Sequence, residues 1–166
     1  MVVGEAFGDF QLRAQCGELF LKALGARDAG GGGDVFPGEK IYAALVQDLK
    51  QRGLLDSTLV VWGGEYGRTP MNEARDGSKF LGRDHHPHAF SIWMAGGGVK
   101  PGLVFGATDD FGYQIAQDKV TVRDLQATIM HLMGFDPYHF AYRYQGLNQR
   151  LIGPTNEGQI VKGILA

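Results

Sequence analysis

A three-layer α/β arrangement is the fold class this sequence predicts, and three observations predict it. Two short apolar runs, "TLVVW" at 58–62 and "AFSIWMA" at 89–95, show no alternation, the pattern of strands buried on both faces of a parallel sheet. Segments with helical spacing precede the first run and follow the second. A long polar segment marked by glycines lies between the runs, as ligand loops do at the carboxyl ends of parallel strands. With 166 residues, the chain is the size of one domain with a real core.

Taken in order, residues 5–25 predict a first helix, with Phe10, Leu12, Leu19, Phe20, Leu21 and Leu24 spaced for a buried face and Gly25 as its stop. Gly30 to Gly33 lack the Lys-Ser/Thr that follows a phosphate loop, so "ARDAGGGGDVFPG" reads as a flexible connector. Pro37 suits the first position of a helix reaching to about Arg52, with Ile41, Ala44, Leu45, Asp48 and Leu49 giving an apolar face with a polar edge and Gly53 closing it. From Gly63 to about His88 a long loop is expected, with "RTP" as a turn inside it. After the second strand, "GGGVKPG" turns the chain, and "LVFGATDDFGY" offers a short strand and a polar loop. "TVRDLQATIMHLMGFDP" is the clearest helix: Thr121 caps it, Asp124 completes a capping box, and Gly134 ends it. Its core face is expected to be Leu125, Ile129, Leu132 and Met133, with His131 pointing away. The tail suggests extended segments near 142–144 and 150–152 and a short helix in "EGQIVKGILA".

Composition narrows the partners. A net charge of −2 gives no electrostatic case for nucleic acid or an anionic membrane. No apolar run approaches the roughly 18 residues of a membrane span. A single cysteine, Cys16, excludes an intrachain disulfide and reads as a small buried residue. "MVVGEAFGDF" lacks the pattern of a signal peptide, so no export signal is expected in these residues.

The chemistry concentrates in one place. "GRDHHPHAF" holds three of the five histidines, with Asp84 leading directly into His85, His86 and His88. Glu65 stands three residues after the first strand run, among Gly63, Gly64 and Gly67, which let the backbone bend toward a ligand. Carboxylate oxygen and imidazole nitrogen are ligands for zinc, manganese or iron. Glu65, Asp84, His85 and His86 are therefore the candidate metal ligands, and Arg68, a rigid fork of donors, the candidate oxyanion partner. Spacing alone leaves a solvated His-rich loop equally open, with Glu65 as the salt-bridge partner of Arg68. Thr69 is the hydroxyl nearest the cluster, yet no Ser or Thr has the setting of a nucleophile, and the catalytic residue is unassigned. Asp109 and Asp110 lack the spacing of a helix-loop-helix calcium site and read as a turn; His139 reads as a loop residue.

Three stretches in order, "LLDSTLVVWGGEYGRTP", "GRDHHPHAFSIWMAGGGVKPGLVFGATDDFGY" and "VTVRDLQATIMHLMGFD", resemble the C-terminal part of the bacterial family called domain of unknown function 1501. The resemblance covers roughly 38–166 and places the family in the alkaline-phosphatase and sulfatase-like superfamily. It implies a three-layer α/β/α, alkaline-phosphatase-like fold, of which this chain would hold only the C-terminal portion. Residues 1–36, a helix and Gly-rich connector, match poorly, and 37–166 form the matching region. It also implies a divalent metal, zinc or manganese, and hydrolysis of phosphate or sulfate esters in a small molecule or polysaccharide. Relatives carry an upstream Trp-Asp-x-His motif, but no Trp precedes Trp62 here and no His precedes His85. An incomplete site follows, and with it the alternative of a non-catalytic protein that keeps metal or oxyanion binding, or of an interaction module. Relatives often carry export signals.

Overall fold

The computed structural model describes residues 9–14, 37–73, 77 and 82–166. The first described element is a strand, β1 (Asp9–Ala14), inside the region where a helix was expected. Asp-Phe-Gln-Leu-Arg-Ala alternates apolar and polar residues over its whole length, the period of a strand. The remainder of the expected helix, Cys16 included, and the Gly-rich connector lie outside the described residues. Helix α1 (Pro37–Gln51) starts at the proline, whose fixed φ and missing N–H cost nothing there. Then come β2 (Val60–Gly63), β3 (Gly67–Glu73), β4 (Gly82–His86), β5 (Phe90–Ala95) and β6 (Leu103–Phe105). Two short strands, β7 (Ala107–Thr108) and β8 (Ile115–Gln117), lead to β9 (Val120–Thr121), helix α2 (Val122–Leu132) and a terminal pair, β10 (Tyr142–Tyr144) and β11 (Leu147–Gln149).

The chain divides into two units. One gathers the described residues of Arg13–Trp62, Trp93–Val104 and Ile164–Ala166. Its core sets Val46 of α1 against Trp93 and Ala95 of β5, with Leu55 and Val60 closing the cluster; the main sheet of the chain has the strand order β2–β5–β1–β6. Val46 is 1% exposed, whereas Ile41 is 65% exposed and Leu45 45%, so α1 turns a face to the core different from the one expected. Strand β5 is buried from Ile92 to Ala95 as expected, but β2, at the end of the strand order, has Val61 and Trp62 exposed. The chain leaves β5 through Gly96 at φ +72°, where a Cβ would stand 2.3 Å from the Leu55 carbonyl oxygen, so only glycine fits.

The other unit contains Gly63–Ile92 and Phe105–Gly163. Here β1 starts by pairing antiparallel with β9, Asp9 opposite Thr121 and Phe10 opposite Val120. The capping box forms as the sequence predicts: Asp124 N–H donates to Thr121 Oγ1 at 3.2 Å, and Thr121 N–H donates to Asp124 Oδ2 at 2.8 Å. The face of α2 that packs deepest is Ala127, Thr128 and Met130, while Leu125 and Ile129 are only half-buried and His131 is exposed. Three successive amides of the tail land on side chains of this unit. Gln159 N–H donates to Asp124 Oδ1 at 2.7 Å, Ile160 N–H to Tyr138 Oη at 3.4 Å, and Val161 N–H to Thr128 Oγ1 at 2.9 Å.

The expected three-layer α/β/α, alkaline-phosphatase-like fold is not what forms. Apart from the main sheet, the described residues form three separate antiparallel ribbons, β3–β4, β7–β8 and β10–β11, and hold two α-helices. A parallel pair needs a crossover of a dozen or more residues, usually helical, whereas an antiparallel pair closes through a short turn. Between β6 and β9 the chain forms the ribbon β7–β8 and no helix. The expected long loop at 63–88 conceals β3 and β4 because Gly-Arg-Thr-Pro-Met-Asn-Glu and Gly-Arg-Asp-His-His carry no hydrophobic pattern. "RTP" belongs to β3 and is no turn. Among the described residues, no helix is long and apolar enough to cross a membrane.

Candidate functional site

The β3–β4 ribbon decides which side chains meet. Gly67 lies opposite His86 and Arg68 opposite His85, with an irregularity between Arg68 and Asn72. Glycine is required at 67, where a Cβ would come 2.1 Å from the Ala89 carbonyl oxygen. Directly opposed residues of an antiparallel pair share a face, so Arg68 and His85 are neighbours. Glu65, two residues before β3, reaches both of them. Its Oε1 lies 3.3 Å from His85 Nε2 and 3.6 Å from Arg68 Nη2. The Tyr66 ring leans on the His85 imidazole with centroids 5.5 Å apart. Arg68 is further oriented by its Nη1, which donates to the Arg83 carbonyl at 3.5 Å, the limit of a hydrogen bond. All three members are open to water, so their ion pairs add little to stability and are available to a ligand.

Strand alternation divides the histidine cluster. Asp84 and His86 lie on the face of β4 opposite to His85. Asp84 is exposed, and His86, at 2% exposure, is the buried one. His86 Nε2–H donates to the Tyr113 carbonyl at 2.6 Å, its ring lies tilted against the Tyr113 ring with centroids 4.7 Å apart, and His88 meets it edge-on at 5.8 Å. A carbonyl oxygen only accepts, so that bond fixes the proton on Nε2 and leaves Nδ1 as the one nitrogen able to bind a metal. The loop that presents Tyr113 is shaped by Asp109, which accepts from Tyr113 N–H at 2.7 Å and Gln114 N–H at 3.2 Å. The expected turn at Asp109 thus supports His86. Thr69 is buried, and its hydroxyl donates to the Met71 carbonyl at 3.2 Å, which leaves it turned away from nucleophilic work.

Of the expected metal ligands, Glu65 and His85 come together with Arg68, while Asp84 and His86 stand on the other face. The Glu65–His85 separation of 3.3 Å suits a shared ion. Two ligands with bonds of about 2.0–2.1 Å stand about 3.3 Å apart around tetrahedral zinc. The fit is that of two ligands: among the described residues, no group of three or more His, Cys, Asp or Glu side chains gathers as a metal site. Tyr66 and Tyr113 escape the sequence reading. The aromatic beside each polar cluster carries no signal until the strand register is known.

Elsewhere, His139 Nδ1–H donates to Asp136 Oδ2 at 2.6 Å. That bond, with a second from Tyr138 N–H, holds the Asp136 carboxyl below the usual carboxylate range.

The profile of a family described as protein of unknown function (DUF1501) matches residues 39–165. No curated protein and no solved structure matches the chain.

Proposed function

The chain belongs to that family, DUF1501, and from this footing we propose that it supplies part of the site of a metal-dependent phosphate- or sulfate-ester hydrolase. Glu65 and His85 are its metal ligands and Arg68 its oxyanion partner. The observation that carries the reading is a single carboxylate oxygen placed 3.3 Å from an imidazole nitrogen and 3.6 Å from a guanidinium nitrogen. The link to the alkaline-phosphatase and sulfatase-like superfamily is part of the same proposal. It rests on the order of the motifs in the sequence and does not extend to the fold.

When bound, a divalent ion supplies Lewis acidity toward an ester oxygen. The chain's own contribution is positional. Tyr66 limits the swing of the His85 ring, and Glu65 presents an oxygen on the same face. Arg68 offers paired N–H donors to a phosphate or sulfate beside them. His86 favours the second reading, binding without turnover. It lies on the face of β4 opposite to His85, with its Nε2–H committed to Tyr113, so it does not complete the set on the Glu65 face.

Titration calorimetry with zinc and manganese, run beside an ester-hydrolysis assay on the same sample, separates the readings. Weak metal binding that is lost in both Glu65→Ala and His85→Ala is expected. Turnover lost with the same variants makes the chain a working hydrolase; binding without turnover selects the second reading. Metal binding or turnover that survives the double variant refutes the site. Affinity should also fall as the pH enters the range where imidazole takes up a proton, since only the neutral ring is a ligand.

A further inference from the structure

We propose that Arg83 is a specificity-determining residue beside Glu65, Arg68 and His85, and that the ester this site takes carries a second sulfate or phosphate group about 7 Å from the first. The inference rests on the oxyanion role given to Arg68 above and adds the class of substrate.

Strand register places the residue. On β4, Arg83 stands two residues before His85, so alternation sets both on one face, about 7 Å apart along the strand. Asp84, between them, lies on the other face. Across the ribbon, His85 faces Arg68 and Arg83 faces Asn72. Arg68 is therefore the diagonal neighbour of Arg83, and its guanidinium reaches that residue: Arg68 Nη1 donates to the Arg83 carbonyl at 3.5 Å. Its other terminal nitrogen, Nη2, lies 3.6 Å from Glu65 Oε1. Arg68 thus bridges Glu65 and the Arg83 backbone, and Arg83 adds a second guanidinium to the same face.

Charge on this face selects the substrate. Glu65 supplies one carboxylate, shared by His85 and Arg68, against the two guanidiniums of Arg68 and the exposed Arg83. A divalent ion on Glu65 and His85 would make the face more positive still. An ester with one anionic group answers Arg68 and leaves Arg83 unanswered. The planar fork of Arg83 matches a sulfate or phosphate in two parallel hydrogen bonds and gains far less from a hydroxyl. An exposed pair contributes modestly, so Arg83 sets the preference among esters and Arg68 the binding of the ester itself.

The test is titration calorimetry of the full chain, without added metal and at one ionic strength. Methyl sulfate and trimethylene bis-sulfate form one pair of probes, methyl phosphate and trimethylene bisphosphate the other. The doubly charged member of at least one pair should bind about fivefold tighter than its partner, and the pair that shows it names sulfate or phosphate as the second group. Arg83→Gln should bring the two members within about twofold, the statistical advantage of two equivalent ends, and leave the singly charged probe unchanged. Arg83→Lys, which keeps the charge, should keep most of the preference. Arg143→Gln, the loss of an exposed charge on β10, should keep all of it. Equal binding of both members in both pairs overturns the proposal, as does a preference that survives Arg83→Gln or falls as far in Arg143→Gln. With singly charged binding still lost in Arg68→Ala, those results leave the oxyanion site standing. Binding of no probe, or methyl sulfate and methyl phosphate binding that survives Arg68→Ala, refutes the oxyanion role itself, and this inference falls with it. Should Arg83→Gln fail to fold, NMR of the unmodified chain decides: the Arg83 side-chain N–H signal must move with a doubly charged probe and stay in place with its singly charged partner, and any other pattern overturns the proposal.

Discussion

Thr128 offers the sharpest test of the packing, because one buried hydroxyl has two jobs. It is fully buried on α2; its Oγ1 donates to the Asp124 carbonyl at 2.7 Å and accepts from Val161 N–H at 2.9 Å. Thr128→Val keeps the shape and removes the acceptor. The Asp124 carbonyl loses one of two possible donors, a small matter for an oxygen already within a helix. The half-buried Val161 amide loses the acceptor it uses, and an unsatisfied donor of that kind costs about 1–3 kcal/mol. Thr128→Ser is the complementary change: it keeps the hydroxyl and gives up one methyl, for about 1 kcal/mol. Urea midpoints at constant m-value measure both. Amide exchange at Val161 separates the causes, since it should speed up in the valine variant and stay slow in the serine one. A valine variant within about 0.5 kcal/mol of the parent, with Val161 exchange unchanged, would refute the reasoning.

Three further outcomes are expected. Met130→Ala should cost about 2–5 kcal/mol, as a cavity at a 5%-exposed position, and His131→Ala no more than about 0.5 kcal/mol at an exposed one; urea denaturation in which histidine proves the costlier site would show that the helix face is misplaced. Asp136 should titrate below 3.8, so its interaction with His139 contributes stability above that pH and loses it as pH falls through the depressed value. Carboxyl-carbon NMR should find the Asp136 midpoint raised in His139→Ala, and an unmoved midpoint would remove His139 as the cause. Arg68→Ala should abolish sulfate or phosphate binding while leaving zinc affinity equal or higher, because it removes a cation from the Glu65 carboxylate; calorimetry showing both ligands lost together would place Arg68 in a structural role.

What the sequence disclosed, and what it hid, follows from the kind of signal each element carries. Thr121 with Asp124 and the proline at 37 are local devices whose chemistry lies within a few residues, so they were legible. So was β5, whose apolar run reflects burial at the middle of a sheet. The ribbon β3–β4 was not legible, because polar strands are specified by register with each other. The fold class went astray at this point, since a loop joining parallel strands and a polar ribbon look alike in hydropathy. The site inherits the same difficulty. Asp84, His85 and His86 are adjacent in sequence, and only the strand period places His85 beside Glu65 and sends the other two to the opposite face. On α2, the spacing of large apolar residues pointed to Leu125 and Ile129, yet the helix packs deepest through the small Ala127 and Thr128, which allow close approach, and through Met130.

The two oxygens of Asp124 have separate tasks: Oδ2 holds the first turn of α2 through Thr121, and Oδ1 holds the tail through Gln159, 35 residues away. Opening the first turn of the helix therefore swings away the acceptor that keeps the tail in place, and neither event occurs at its own cost. The start of α2 and residues 159–161 form one cooperative opening unit, a foldon assembled from distant parts of the chain. In native-state hydrogen exchange the amides of Asp124 and Gln159 should share one opening free energy and one denaturant dependence. A protease that reaches the tail between Gly158 and Lys162 would do so at the frequency with which a helix three dozen residues upstream comes uncapped.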